Sequence, residues 1–197
     1  VARTLEFDRE EAVRAARTLF WRAGYDGASI PELERATGLS RSSIYNTFGS
    51  KRGLFEAVVQ SYLDELVRPR LAPLQADVVA PEALLIYLTG LREAFENLHS
   101  MPALCGCLLI NTASTPLAQD EYLHDVISGY RKELHSAFVR GLAAMGGGHS
   151  DAGMSNADVL TALVVAGFAI ARVDPSEAAR SVSSAMRLVS DGASGLR

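Results

Sequence analysis

The stretch SIPELERATGLSRSSIYNTFGSK, residues 29–51, leaves the backbone few alternatives to two short helices joined by a tight turn. Ser29 is a good N-cap, because its hydroxyl can accept from a free first-turn N–H, and Pro31 already has the φ a first turn needs. Leu33 and Ala36 are the expected buried face of this helix. Gly38 ends it, at a position where a positive φ is tolerated. Ser40 then caps a second helix in which Ile44 and Phe48 sit four apart on one face. The opposite face shows Arg41, Ser42, Ser43, Tyr45, Asn46 and Thr47. It is short, polar and able to donate and accept hydrogen bonds, as a helix reading a DNA groove must be.

The flanks extend the helical pattern. Asp8 with Glu11 reads as the capped start of a helix to about Arg22, with Ala12, Val13, Ala16, Leu19 and Phe20 on one face and Gly24-Tyr25-Asp26-Gly27 at its end. From Lys51 a helix is expected to about Val67, stopped by Pro69, with a proline-punctuated loop over 69–80. Further helices are expected over 82–98, from Pro102 to Thr115, and over 118–145, 158–173 and 174–190. Asp174 caps the last of these, with Pro175 at its first position, and GGGHSDAGMSN (146–156) reads as a flexible loop. No strand alternation appears, so the expected fold class is all-α, with about nine helices. The expected division is a helix-turn-helix domain over 1–52 and a helical bundle over 53–197.

A helix, then GYDGAS, the helix pair, IYNTFGSK and Leu54-Phe55 opening a longer helix: in that order the motifs resemble the TetR family of bacterial transcriptional repressors. They span Asp8 to Phe55, and one position departs, since many members carry histidine where Thr47 stands. The resemblance implies a ligand-responsive repressor that binds a palindromic operator in double-stranded DNA as a homodimer. It implies that Tyr45 and Lys51 contact phosphate, with Ser29 at its helix N-terminus adding to that contact. Arg41, Ser42, Ser43 and Asn46 are the candidates for base edges, Arg41 toward guanine and Asn46 toward adenine, and Thr47 shares their face. For Arg41 a phosphate contact is the open alternative.

The net charge of −4 is unevenly distributed. Residues 1–55 carry nine Arg or Lys against seven Asp or Glu, and residues 56–197 carry ten against sixteen. Basic character is therefore concentrated where the helix pair lies. The chain has only two lysines, Lys51 and Lys132, and the first stands where the family uses one to hold phosphate.

In the larger part, DVLTALVVAGFAIARV is rich in small residues, Ala162, Ala166, Gly167 and Ala169, that let another helix approach closely. EAARSVSSAMRLVS offers Ala178, Val182, Ala185, Met186 and Val189 as a matching stripe. An apolar terminal hairpin of this kind is expected to pair with a symmetry mate into a four-helix bundle, as the family's dimers do. The resemblance also implies a small-molecule pocket, for which Phe95, Met101, Cys105, Leu108, Asn111, Tyr122, Val126, Tyr130 and Phe168 are the candidate lining. An apolar or amphipathic effector would suit it. GCLLINTA (106–113) looks like a version found in one branch of the family. Asn111 and Thr112 there either contact ligand or cap neighbouring backbone groups.

Other chemistry finds little purchase. With 197 residues, 48% of them apolar, the chain can bury a sizeable core, and no uninterrupted apolar run long enough for a membrane span is expected. The N-terminus lacks a basic-then-apolar signal pattern, which favours a cytoplasmic protein. Cys105 and Cys107 are too few for a disulfide framework but invite a redox or electrophile sensor, and the rival reading is a small-molecule or redox sensor that acts through protein contacts without operator binding. His99, His124, His135 and His149 form no i,i+4 pair, so no metal site is assigned, and no cofactor loop or catalytic group is found.

Overall fold

The computed structural model describes residues 2–147 and 151–194. Among them there are no strands, so the all-α expectation holds. The α-helices are α1 (Ala2–Gly27), α2 (Ile30–Thr37), α3 (Arg41–Phe48), α4 (Lys51–Tyr62), α5 (Arg68–Gln75), α6 (Ala83–Glu96), α7 (Met101–Cys105), α8 (Leu108–Ala113), α9 (Glu121–Leu142), α10 (Asp151–Ile170) and α11 (Pro175–Ser194). The chain divides into two compact units, residues 1–68 and 69–197. The division expected after residue 52 instead falls inside α4, which packs along α1 and so belongs to the first unit.

In the first unit α1 begins at Ala2, upstream of the expected start. Asp8 lies inside the helix and does not cap it; its side chain is outside the described residues. Gly24 (φ 73°, ψ 174°) breaks α1 where GYDG was expected to end it. Phe20 and Phe55 are fully buried and meet edge to face at 5.0 Å, joining α1 to α4. Such a pair adds about 0.5–1.5 kcal/mol beyond its buried area. Leu33 and Ile44 are completely enclosed and anchor α2 and α3. Ala36 is exposed, contrary to expectation, because α2 turns Leu33 and Thr37 inward, with the Thr37 hydroxyl donating to the Leu33 carbonyl at 2.7 Å. Gly38 closes α2 in the left-handed region (φ 70°), its N–H donating to the Glu34 carbonyl. A side chain there would be strained.

Pro69 does not stop the helix. One π-helical turn, Leu63–Val67, follows α4, and the Arg68 N–H donates five residues back to the Leu63 carbonyl. That wider turn makes room for the proline ring, and α5 continues to Gln75 with Leu71 and Leu74 buried. The loop expected over 69–80 is thereby confined to residues 76–82.

In the second unit α6, α9, α10 and α11 pack around Leu84, Leu88, Phe95, Leu134, Phe138 and Val182. The helix expected from Pro102 to Thr115 is two helices, α7 and α8. Gly106 (φ 66°) separates them, pressed so close to the Phe168 carbonyl that a Cβ would collide with it. The surrounding stretch Met101–Gln119 has the length and mean hydropathy (1.3) to cross a membrane, although polar residues interrupt it and this break divides it. Asp120 caps α9 through Leu123 N–H at 3.1 Å, so α9 starts after the expected residue 118. The expected loop over 146–156 is shortened, since α10 begins at Asp151; residues 148–150, with His149, lie outside the described residues. Asp174 caps α11 as expected, accepting from the Glu177 N–H at 3.0 Å.

Candidate nucleic-acid interface

Helix α3 owes its start to two acceptors. Ser40 Oγ accepts from the Ser43 N–H (3.2 Å) and lies 2.9 Å from the hydroxyls of both Ser42 and Ser43. The Arg41 N–H donates to Glu34 Oε1 of α2 at 2.6 Å. Two of the free first-turn donors are thereby satisfied within the protein.

Arg41, Ser42, Tyr45, Asn46 and Thr47 are all exposed, whereas Ser43 is half-buried. Ser42 and Ser43 already have a hydroxyl partner in the cap. Asn46 and Thr47 make no side-chain hydrogen bond among the described residues. The Arg41 guanidinium lies over the Tyr45 ring, 5.7 Å from its centroid. Lys51 opens α4 with its ammonium 4.4 Å from the Tyr25 ring centroid, which holds the charge beside the end of α3. Burial raises the Tyr25 phenol above its usual value.

Ser29 is exposed, but its N-terminal position is already occupied. Its N–H and hydroxyl donate to Glu32 Oε2 at 2.9 and 2.6 Å, and its Oγ accepts from the Glu32 N–H. This reciprocal capping box places a carboxylate where a phosphate would dock. Hydrogen bonds from the Ser29 side chain and backbone hold the Glu32 carboxyl below the usual range. The S-x-x-E spacing that produces it is visible in the sequence; Glu34, Tyr25 and the Arg9 guanidinium 5.3 Å over the Phe48 ring depend on packing.

The effector candidates separate into two groups. Phe95, Cys105, Leu108, Tyr130 and Phe168 are buried; Met101, Asn111 and Val126 are half-buried or more exposed, and Tyr122 is exposed. Phe95 and Phe168 meet edge to face at 5.5 Å, and Gly106 lies against the Phe168 backbone. Asn111 Nδ2 donates to the Cys105 carbonyl (2.6 Å) and the Thr112 hydroxyl to the Leu108 carbonyl (2.8 Å), so both serve the backbone. Both thiols are buried, and Cys107 Sγ is 3.9 Å from the Tyr130 hydroxyl. Tyr87, which the sequence did not single out, lies near Cys107, and its phenol is pushed well up by burial.

The dimer candidates also divide. Ala162, Ala166 and Ala169 are exposed on α10, in one stripe with Val159 and with Val173 in the turn beyond. Ala178, Val182, Ala185 and Val189 are buried, as α11 packs against α10 and α6 of the same chain, and Met186 is half-buried. Gly167 serves that internal crossing: a Cβ on it would sit 3.3 Å from the Ala178 carbonyl, while Ser181 Oγ donates to the Leu163 carbonyl at 2.7 Å.

Two short helices in this order, the second exposed and polar beside a lysine, define a helix-turn-helix protein. Residues 12–58 match the family model described as bacterial regulatory proteins, tetR family. The HTH-type transcriptional regulator YezE of Bacillus subtilis (strain 168) is 30% identical over 142 residues, 72% of each chain. The chain belongs to the TetR family of bacterial regulatory proteins. The HTH-type transcriptional repressor ComR of Escherichia coli (strain K12) is 36% identical over 110 residues, 55% of this chain, which spans about half (51%) of ComR. Among solved structures, a cysteine mutant of the TetR family transcriptional regulator CifR, complexed with 26-bp double-strand operator DNA, superposes with a TM-score of 0.73 at 28% identity, covering 91% of this chain and 95% of that one.

Proposed function

We propose that this protein is a cytoplasmic transcriptional repressor that binds a palindromic operator as a homodimer and is released by a small molecule. The observation that carries this reading is the exposed face Arg41-Tyr45-Asn46-Thr47 on α3, with Lys51 fixed at its end. Arg41 and Asn46 would read base edges, Tyr45 and Lys51 would hold phosphate, and the cap bonds of Ser42 and Ser43 give them a smaller share.

One α3 spans only a few base pairs, so two copies placed about 34–36 Å apart, or further for a longer site, would read successive major grooves. The exposed stripe on α10 supports that pairing, since steps of three and four between Val159, Ala162, Ala166 and Ala169 form a continuous seam for a second α10. The buried residues of the second unit, Phe95, Tyr130 and Phe168 among them, suit an apolar or amphipathic effector. GCLLINTA supports placing the chain in the branch that shares this segment. Effector binding would stabilise an arrangement in which the helix beginning at Lys51 tilts and the spacing of the two recognition helices changes. Coupling of about 1–3 kcal/mol is typical for such a switch.

A gel-shift titration with duplexes selected from a random library tests the reading. Specific, salt-dependent binding that Tyr45→Ala and Lys51→Ala each weaken is expected. Failure to select any duplex, or binding indifferent to both changes, refutes it.

A further inference from the structure

We propose that Glu34 determines specificity: its carboxylate occupies the N-terminus of recognition helix α3 and so denies that position to a DNA phosphate. This rests on the DNA-binding reading above. Glu34 Oε1 accepts from the Arg41 N–H at 2.6 Å, and the Glu34 carbonyl accepts from the Gly38 N–H at 2.9 Å. The residue is thus tied to both the end of α2 and the start of α3.

A helix N-terminus carries about half a positive charge and binds anions readily. Phosphate contacts supply essentially all binding to non-specific DNA. An uncapped α3 would find its phosphate on any duplex and settle against the backbone, leaving Arg41 and Asn46 short of the bases. Glu34 removes that alternative in two ways. It fills the cap, and its charge repels the phosphate that would replace it. Glu32 does the same at α2, where it bonds Ser29. Both helices of the motif therefore carry their own anion, and the polar side chains of α3 are left to secure the DNA.

The test compares the 197-residue chain with its Glu34→Gln variant, which keeps an acceptor oxygen for the Arg41 N–H and removes the charge. Binding is titrated on the selected operator and on a scrambled duplex over a range of salt. For Glu34→Gln the ratio of operator to scrambled affinity is expected to fall by about fivefold or more, and the salt slope on scrambled DNA to steepen, because the carboxylate no longer repels the phosphates. Glu34→Asp, which keeps the charge, is expected to retain a ratio within about twofold of the parent and an unchanged slope. A merely structural cap would lower the melting temperature without steepening the slope. An unchanged ratio in Glu34→Gln, or the same loss in Glu34→Asp, overturns the proposal. Failure of the parent chain to select any operator refutes the DNA-binding reading itself, and the inference with it.

Discussion

Lys51 and Asn46 sit within one short stretch, yet the roles proposed for them on DNA rest on different physics. The Lys51 ammonium rests 4.4 Å from the Tyr25 ring centroid and, in the proposed role, would offer charge to any phosphate, whereas the exposed Asn46 amide would offer a donor and an acceptor to one base. Lys51→Ala is therefore expected to weaken binding uniformly across sequences and to lower the salt slope by about 0.9. Asn46→Ala is expected to cost about 1–3 kcal/mol on the preferred operator and to relax the preference at a single base pair. Titrating both variants on the operator and on its point mutants separates the two outcomes. Glu65 makes a prediction about acid. Its partial burial raises the carboxyl, but hydrogen bonds from Arg14 and Arg17, with a further one from Ser61, outweigh that and hold it below the usual range. A carboxylate depressed in the folded state stabilises fully above its unfolded value of about 4.3 and loses that contribution as pH falls through the folded value. Thermal melting between pH 7 and 3 should show a smaller acid-induced loss in Glu65→Gln than in the parent.

At the scale of elements, the helix ends explain most of what could be read locally. Ser40, Gly38 and Asp174 act at the positions where their chemistry is expected, because a cap is made by a hydroxyl, a carboxylate or a left-handed backbone within a few residues. Ser40→Ala is expected to cost roughly 0.5–2 kcal/mol, measured by denaturant unfolding, and to weaken operator binding through fraying of α3. The elements that depart from the local pattern involve packing beyond their own stretch. Pro69 signals a stop in any local reading, but the π turn before it and the burial of Leu71 and Leu74 carry the helix onward. Gly106 divides α7 from α8 because the backbone of Phe168, far along the chain, presses against it.

For the whole molecule, the separation of the two apolar faces at the chain's C-terminal end matters most. Composition marks α10 and α11 alike as rich in small residues, yet Ala178, Val182, Ala185 and Val189 fill the interior of their own unit while Ala162, Ala166 and Ala169 remain outside. Substitution on the exposed stripe should therefore break assembly without breaking the fold. Ala166→Arg is expected to give a monomer in sedimentation velocity with parental helicity by circular dichroism, and to bind a single half-site weakly. Val182→Arg, on the buried stripe of α11, is expected instead to abolish folding, because it places an unpaired charge in the core. Loss of the helical circular dichroism signal in that variant alone separates the two stripes.

The sequence by itself determined the helical class, the caps and turn of the helix pair, and the identity of its polar face, since periodicity, caps and turn residues act over a few positions. Through the resemblance those motifs carry, it also proposed Tyr45 and Lys51 as phosphate contacts. Tertiary structure decided the rest. It set Glu34 on the Arg41 N–H and Tyr25 under Lys51, and it chose which alanines are core and which remain at the surface. Those outcomes depend on which surfaces of separate helices meet, and burial is a property of the packed chain rather than of any single stretch of it.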